Sequence, residues 1–154
     1  NGLTENFEWQ TLGSNFVLAN AHFSMLYPQI KDNEAIQIHR KNQWNYYYEK
    51  LQALEKAQLI ELPQPLHEGN AHIFYIKTND RNQLISFLLN NKAEASFHYI
   101  PLHSSTKGKE YRYVQTQDHT TKESNKLLRL PIGNQVTIEQ QNKVIELIFS
   151  FYKI

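Results

Sequence analysis

Residues 44–63 read WNYYYEKLQALEKAQLIELP, and the predicted fold of the chain is built around this stretch. Residues that would share one helical face recur at steps of three and four, beginning ahead of this stretch and continuing into it: Ile36, Arg40, Trp44, Tyr47, Tyr48, Leu51 and Leu54. That spacing predicts a long amphipathic helix, capped at Asp32 or Asn33 and running to about Ala57. Leu59–Leu62 (LIEL) predicts a short strand after it, which Pro63 stops.

Segments on either side of this stretch predict further helices and strands. Residues 13–31 predict a helix that Pro28 kinks or ends. His72–Lys77 (HIFYIK) and Ala95–Ile100 have the β-branched and aromatic character of strands. Residues 103–119 are polar and are expected to form a long exposed loop.

Three capping boxes, in which a short polar side chain precedes a Glu or Gln by three residues, predict helix starts. They pair Asp80 with Gln83, Thr120 with Glu123, and Thr137 with Gln140. The corresponding helices are predicted over Arg81–Asn90, from Thr120 to about Leu128, and from Thr137 to Tyr152, the last with an apolar stripe. The element order predicts one α+β domain over residues 1–154: a small, mainly antiparallel sheet covered by helices, with a long N-terminal helix.

The composition narrows the classes of function. The chain has 154 residues, of which 40% are hydrophobic, and its net charge is +1. It has no cysteine, which excludes disulfides and thiolate metal sites. The charge balance does not favour nucleic acid, and no apolar run approaches the roughly 18 residues of a membrane span. We therefore expect a cytoplasmic protein with neither nucleic-acid nor membrane partners.

The stretch FHYIPLH at 97–103 places four aromatic or imidazole rings around one proline. Side chains alternate along a strand, so Phe97 and Tyr99 share one face and His98 takes the other. Loops that follow strand ends commonly carry binding residues, so His98 and His103 either line a pocket or are ordinary polar residues at a strand end. Their spacing across a proline does not match a zinc site, and no metal site is predicted.

Two other residues carry alternatives. Asn15 in GSNF either caps the following helix or hydrogen-bonds a ligand at the helix start. Arg40 lies on the apolar face of the long helix, where its charge needs either a partner or a path for its stem to solvent. No nucleophile, base and orienting group stand together, so the residues alone predict no catalytic residue.

Five stretches, in this order, resemble the C-terminal part of the DegT/DnrJ/EryC1/StrS sugar aminotransferases: GSNF (13–16), residues 44–63, NAHIFYIK (70–77), FHYIPLH (97–103) and TTKESNKLLRLP (120–131). Within that family they are most similar to the dTDP-4-amino-4,6-dideoxygalactose transaminases. The resemblance spans nearly all of residues 9–154, and FHYIPLH followed by TTKES is its most specific part. It implies the small domain of a fold type I pyridoxal phosphate enzyme, with the large, lysine-bearing domain absent from this sequence.

The resemblance implies an enzyme that moves an amino group from glutamate to C4 of a dTDP-4-keto-6-deoxyhexose, as a homodimer, in surface-polysaccharide biosynthesis. Asn15 matches an asparagine that reaches the cofactor phosphate of the neighbouring subunit. His98, Tyr99 and His103 match the wall of the nucleotide-sugar pocket. Val17 departs from the N-x-R pattern of many members, so the carboxylate-binding role of that arginine is absent or moved.

Lys107 superficially resembles the lysine motif of the family but stands in a different place. It follows FHYIPLH instead of preceding GSNF, in a polar stretch that does not lower a lysine pKa. We therefore do not expect Lys107 to form the Schiff base, and we expect the chain alone to be inactive. The alternative is a stand-alone, non-catalytic interaction module with the same fold.

Overall fold

The computed structural model describes residues 19–97, 99–111 and 118–154, apart from the side chain of Lys107. The chain divides into two compact units, Asn1–Ala35 and Ile36–Ile154. The first contains helix α1 (Asn20–Lys31), which has Pro28 within it. Pro28 does not end this helix, because its own carbonyl still accepts a hydrogen bond from Asp32 N–H. The expectation of one domain over residues 1–154 stays a prediction.

Helix α2 (Asn33–Lys56) confirms the predicted long helix. The stripe that predicted it supplies the centre of the core, where Trp44, Tyr47, Leu51 and Leu54 are buried. The Trp44 and Tyr47 rings lie 5.1 and 5.2 Å from the Phe74 ring, measured between centroids. Aromatic pairs at this separation contribute about 0.5–1.5 kcal/mol each beyond the area they bury, so this helix face anchors the sheet.

The sheet has two antiparallel strands, β1 (Phe74–Lys77) and β2 (Leu127–Leu130), within a mostly helical chain. Phe74 pairs with Leu130 and Lys77 with Leu127. This arrangement confirms the α+β class and the antiparallel sheet. The β2 segment was predicted as the end of a helix, which is wrong, because its alternation buries Leu128 and Leu130 on the face that meets the core.

Two other predicted strands are wrong. Leu59–Leu62 contributes a single bridge, in which Glu61 pairs with Lys77. Ala95–Ile100 likewise contributes one bridge, between Ser96 and Arg129. After that bridge the chain leaves the sheet, and the Phe97 ring packs over the Arg81 guanidinium at 4.5 Å.

The remaining helices are α3 (Arg81–Asn90), α4 (Thr106–Glu110), α5 (His119–Lys126) and α6 (Ile138–Tyr152). The capping box of Thr137 and Gln140 is confirmed at the start of α6. The box predicted at Asp80 is wrong, because the Asp80 side chain makes no capping hydrogen bond. The box predicted at Thr120 is wrong as well, since Asp118 caps α5 by accepting from Thr121 N–H at 2.8 Å.

The predicted loop over residues 103–119 is partly helical. It contains the end of a 3₁₀ turn, Leu102–Ser104, and the whole of α4. Among the residues that the structure describes, no helix is both long and apolar enough to span a membrane.

Candidate functional site

Large apolar side chains stand in solvent along residues 99–105, which we call the YIPLHSS segment. Tyr99, Ile100 and Leu102 are 75%, 61% and 86% exposed. Three such side chains within four residues leave apolar surface exposed, and exposed apolar surface commonly meets a ligand or another protein. Ile100 and Leu102 therefore present most of their side-chain surface to solvent.

Short hydrogen bonds inside the segment hold its turn. The Ser104 hydroxyl donates to the Pro101 carbonyl at 2.9 Å, and the Ser105 hydroxyl donates to the Leu102 carbonyl at 2.6 Å. The Ser105 oxygen also accepts from Gly108 N–H at 3.0 Å, which caps α4. The exposed side chains thus rest on a turn in which the Pro101 and Leu102 carbonyls have hydrogen-bond partners.

Helix α5 fastens the segment from the other side. The Ser124 hydroxyl donates to the Tyr99 carbonyl at 2.8 Å. His103 Nε2 lies 3.1 Å from Thr121 Oγ1 and 3.6 Å from Asp118 Oδ1. Hydrogen bonds from Thr121, with a smaller contribution from His103, hold the pKa of Asp118 below its usual value. That carboxylate is therefore ionised near neutrality.

The structure brings two of the predicted site residues, Tyr99 and His103, into this one segment. Asn15 and His98 lie outside the residues that the structure describes, and their roles stay predictions. Lys107 lies within α4, and its side chain is likewise outside the described part. No cluster of three His, Cys, Asp or Glu side chains suited to a metal ion occurs within residues 19–97, 99–111 and 118–154.

Lys77 of β1 and Glu123 of α5 form an ion pair next to this segment. The hydrogen bond from Lys77 is the main cause that lowers the pKa of Glu123 from its ordinary 4.5. The same bond raises the pKa of Lys77 above 10.5, against the opposing effect of burial. The pair ties the helix that fastens the YIPLHSS segment to the sheet.

The pKa of Glu123 is lower in the folded than in the unfolded state. The ionised Glu123 carboxylate therefore stabilises the fold above the unfolded pKa near 4.5, and this contribution is lost as pH falls through the folded pKa. For Lys77, whose pKa is raised, the charged ammonium stabilises the fold below the ordinary pKa of 10.5, and this contribution is lost as pH rises through the raised pKa. Glu123→Gln is therefore expected to flatten the fall in melting temperature below about pH 4.5. Glu146→Gln, on exposed α6 surface, is the control, and identical acid profiles for both variants would refute the pair's role.

Sequence reasoning missed two buried glutamines that join distant parts of the chain, Gln43 and Gln141. The Gln43 amide donates to the carbonyls of Gly133 and Val136 at 3.1 and 2.6 Å. Its oxygen accepts from Gly133 N–H at 3.0 Å. Gln141 donates to the Gln43 carbonyl at 3.0 Å. The signal available for Gln43 was its position directly before Trp44, on a helix whose apolar face was already identified.

An open cleft of about 640 Å³ lies beside this glutamine contact. The segments that form its wall come from α2, the turn after α3, the stretch after β2, and α6. Its lining residues are Arg40, Lys92, Ala93, Glu94, Pro131, Ile132, Gly133, Asn134, Gln135, Val136, Gln140, Lys143 and Val144. Arg40, which the sequence left without an assigned partner, is thus a cleft residue.

The fold is similar to one part of several larger solved proteins. The chain matches S. venezuelae DesV with a TM-score of 0.83 at 22% identity, over 99% of this chain and 42% of that one. It matches CalS13, a sugar aminotransferase from Micromonospora echinospora, with 0.79 at 14% identity, over 97% and 40%. NtdA from Bacillus subtilis, solved with bound cofactor PMP, gives 0.70 at 23% identity, over 78% and 29%.

The chain therefore spans at most 42% of the length of these three structures. The model of the DegT/DnrJ/EryC1/StrS aminotransferase family matches residues 1–149, which is nearly the whole chain. This chain belongs to the DegT/DnrJ/EryC1/StrS aminotransferase family.

Proposed function

We propose that this chain is the C-terminal small domain of a pyridoxal phosphate-dependent aminotransferase that moves an amino group from glutamate to C4 of a dTDP-4-keto-6-deoxyhexose. The observation that carries the proposal is the family match over residues 1–149 of a chain that spans 42% of DesV. A dTDP-4-amino-4,6-dideoxygalactose product and a role in polysaccharide biosynthesis are part of the proposal. So are a cytoplasmic location and a homodimer.

The YIPLHSS segment supports a role for this domain as a pocket wall. Tyr99 offers a ring and a hydroxyl to a sugar or a base, and Leu102 offers apolar surface. His103 stands between that surface and the Asp118 carboxylate. We assign Tyr99, His103 and His98 to the nucleotide-sugar side of the pocket, and Asn15 to the cofactor phosphate.

Covalent attachment of the cofactor needs a lysine whose pKa is lowered by burial or by a nearby cation. Lys77 has its pKa shifted the opposite way, and its ammonium is held by Glu123. Lys77 therefore does not fit the anchor of the cofactor, and we place the Schiff-base lysine in the large domain, outside this sequence. Pyridoxal phosphate, when bound to the whole enzyme, supplies the electron sink for amino-group transfer.

The test compares the chain alone with the full-length protein that includes the polypeptide encoded upstream. The chain alone, given pyridoxal phosphate, ¹⁵N-glutamate and a dTDP-4-keto-6-deoxyhexose, is expected to form no ¹⁵N-labelled amino sugar by mass spectrometry. The full-length protein is expected to form it. Labelled product from the chain alone would contradict the proposal.

Variants of the full-length protein test the assignment of residues. Tyr99→Ala and His103→Ala are expected to raise KM for the nucleotide-sugar about tenfold, because each removes a binding contact. Lys107→Ala is the control, and its kcat is expected to stay unchanged. Loss of all activity in the Lys107 variant would place the reactive amine in this chain and overturn the account.

The alternative function is a stand-alone interaction module without catalysis. Helix α1 offers such a module a surface for a partner, since none of its residues is buried within the described chain. Phe23, Met25 and Ile30 are 59%, 68% and 60% exposed. A catalytic domain elsewhere in the same protein would cover such a surface, and so would a separate partner. A coding region that starts near Asn1, together with no turnover, would favour the module.

A further inference from the structure

The cleft beside α2 carries an excess of positive charge. Three cationic side chains line it, Arg40, Lys92 and Lys143, against one carboxylate, Glu94. The whole chain has a net charge of only +1, so this local excess is not a general property of its surface. Three amide side chains, which can donate N–H groups, complete the polar lining: Asn134, Gln135 and Gln140.

Arg40 is the residue that points most directly to a ligand. It is half-buried, on the face of α2 that carries the core, and within the described residues it forms no ion pair with a carboxylate. A guanidinium removed from water needs an anion or several acceptors to offset its lost hydration. Its planar fork matches the geometry of phosphate oxygens, which it can contact through two N–H groups.

The walls of the cleft are held in place before any ligand arrives. Gln43 bonds both Gly133 and Val136, two residues of the wall formed by residues 131–136. The Lys143 ammonium lies 3.5 Å from the Lys92 carbonyl and joins two other walls. A preformed site loses less conformational entropy on binding than a site that must be ordered first.

We propose that this cleft binds a small phosphate-bearing molecule through a diphosphate group. Its volume, about 640 Å³, is in the range of small-molecule sites. Three cations around one cleft suit a diphosphate, whose charge exceeds that of a single phosphate ester. The proposal does not rest on the aminotransferase function, because its residues lie outside the YIPLHSS segment.

The experiment titrates the ¹⁵N-labelled chain with sodium pyrophosphate and, separately, with dTDP, at low and at moderate salt. Saturable amide shifts are expected in residues 92–94 and 132–136, and affinity is expected to fall as salt rises. Arg40→Gln is expected to weaken binding about tenfold or more, because it removes a charge-assisted pair of hydrogen bonds. Glu94→Gln, which removes the opposing carboxylate, is expected to strengthen it.

Lys41→Gln is the matched control, because it removes the same charge at the next position, which is exposed and outside the cleft. It is expected to change the affinity less than twofold, and circular dichroism checks that each variant is folded. Lys143→Gln replaces Arg40→Gln if the latter does not fold. Tighter binding of dTDP than of pyrophosphate indicates a nucleotide ligand, and equal binding indicates recognition of the phosphates alone. Absence of saturable binding, or equal weakening by Arg40→Gln and Lys41→Gln, overturns the proposal.

Discussion

Gln43→Met is expected to lower the free energy of unfolding by about 2–4 kcal/mol, which is a large share of the stability of a small domain. Methionine keeps the length of the side chain but offers no amide. The substitution therefore leaves Gly133 N–H and the Val136 carbonyl without their present partner, whereas the Gly133 carbonyl keeps its hydrogen bond from Val136 N–H. Orphaned, partly buried backbone groups cost about 1–3 kcal/mol each, less where water reaches them.

Urea denaturation followed by circular dichroism measures this effect. Asn42→Ala is the control, because Asn42 is the preceding residue of the same helix and is exposed. Its effect is expected to stay within about 0.5 kcal/mol. Gln43→Met should also weaken pyrophosphate binding, since Gln43 holds the 131–136 wall of the cleft. Equal stability of the two variants would mean that water replaces the glutamine without cost.

The fold was predictable where a local pattern and the tertiary packing agree. The stripe through Trp44, Tyr47 and Leu51 predicted α2, because the same spacing that shapes a helix face also buries it. The predicted cap, Thr120, lies two residues after the observed cap, Asp118. Both side chains are suitable caps, so the local sequence alone could not decide between them.

The strands were harder to predict, because pairing depends on residues that are distant in sequence. Leu127–Leu130 follows a helix without any turn signal, and only its pairing with Phe74–Lys77 makes it a strand. Ala95–Ile100 has a stronger strand composition, yet one bridge to Arg129 is all the pairing it finds. Intrinsic preference was therefore a poor guide to which segment completes the sheet.

The two candidate sites also differ in how far a local stretch of sequence could predict them. Tyr99 and His103 lie in one short motif, so a resemblance between sequences can identify them. The cleft is assembled from four segments between Arg40 and Val144, and its residues meet only after the chain has folded. The sequence did single out Arg40, but it held no information on which loops would surround that charge.

Gly108→Ala is expected to disrupt the YIPLHSS segment, because the added methyl group has no space. A Cβ at position 108 would lie 1.6 Å from the Leu102 carbonyl oxygen and 2.6 Å from its carbon. These are backbone atoms of the 3₁₀ turn, so a change of side-chain rotamer cannot relieve the contact. Helix α4 and the turn must separate, and that movement also breaks the bond from Gly108 N–H to the Ser105 hydroxyl.

The expected cost is about 3 kcal/mol or more, at the upper end of what overpacking causes in protein interiors. In the labelled chain, amide shifts are expected over residues 99–111, and the melting temperature is expected to fall. In the full-length protein, KM for the nucleotide-sugar is expected to rise as well, since Tyr99 and His103 lose the backbone that presents them. Lys109→Ala, an exposed neighbour in α4, should leave both measurements unchanged. A Gly108→Ala variant with native amide shifts would show that α4 does not rest on this turn, and the proposed pocket wall would then lack its support.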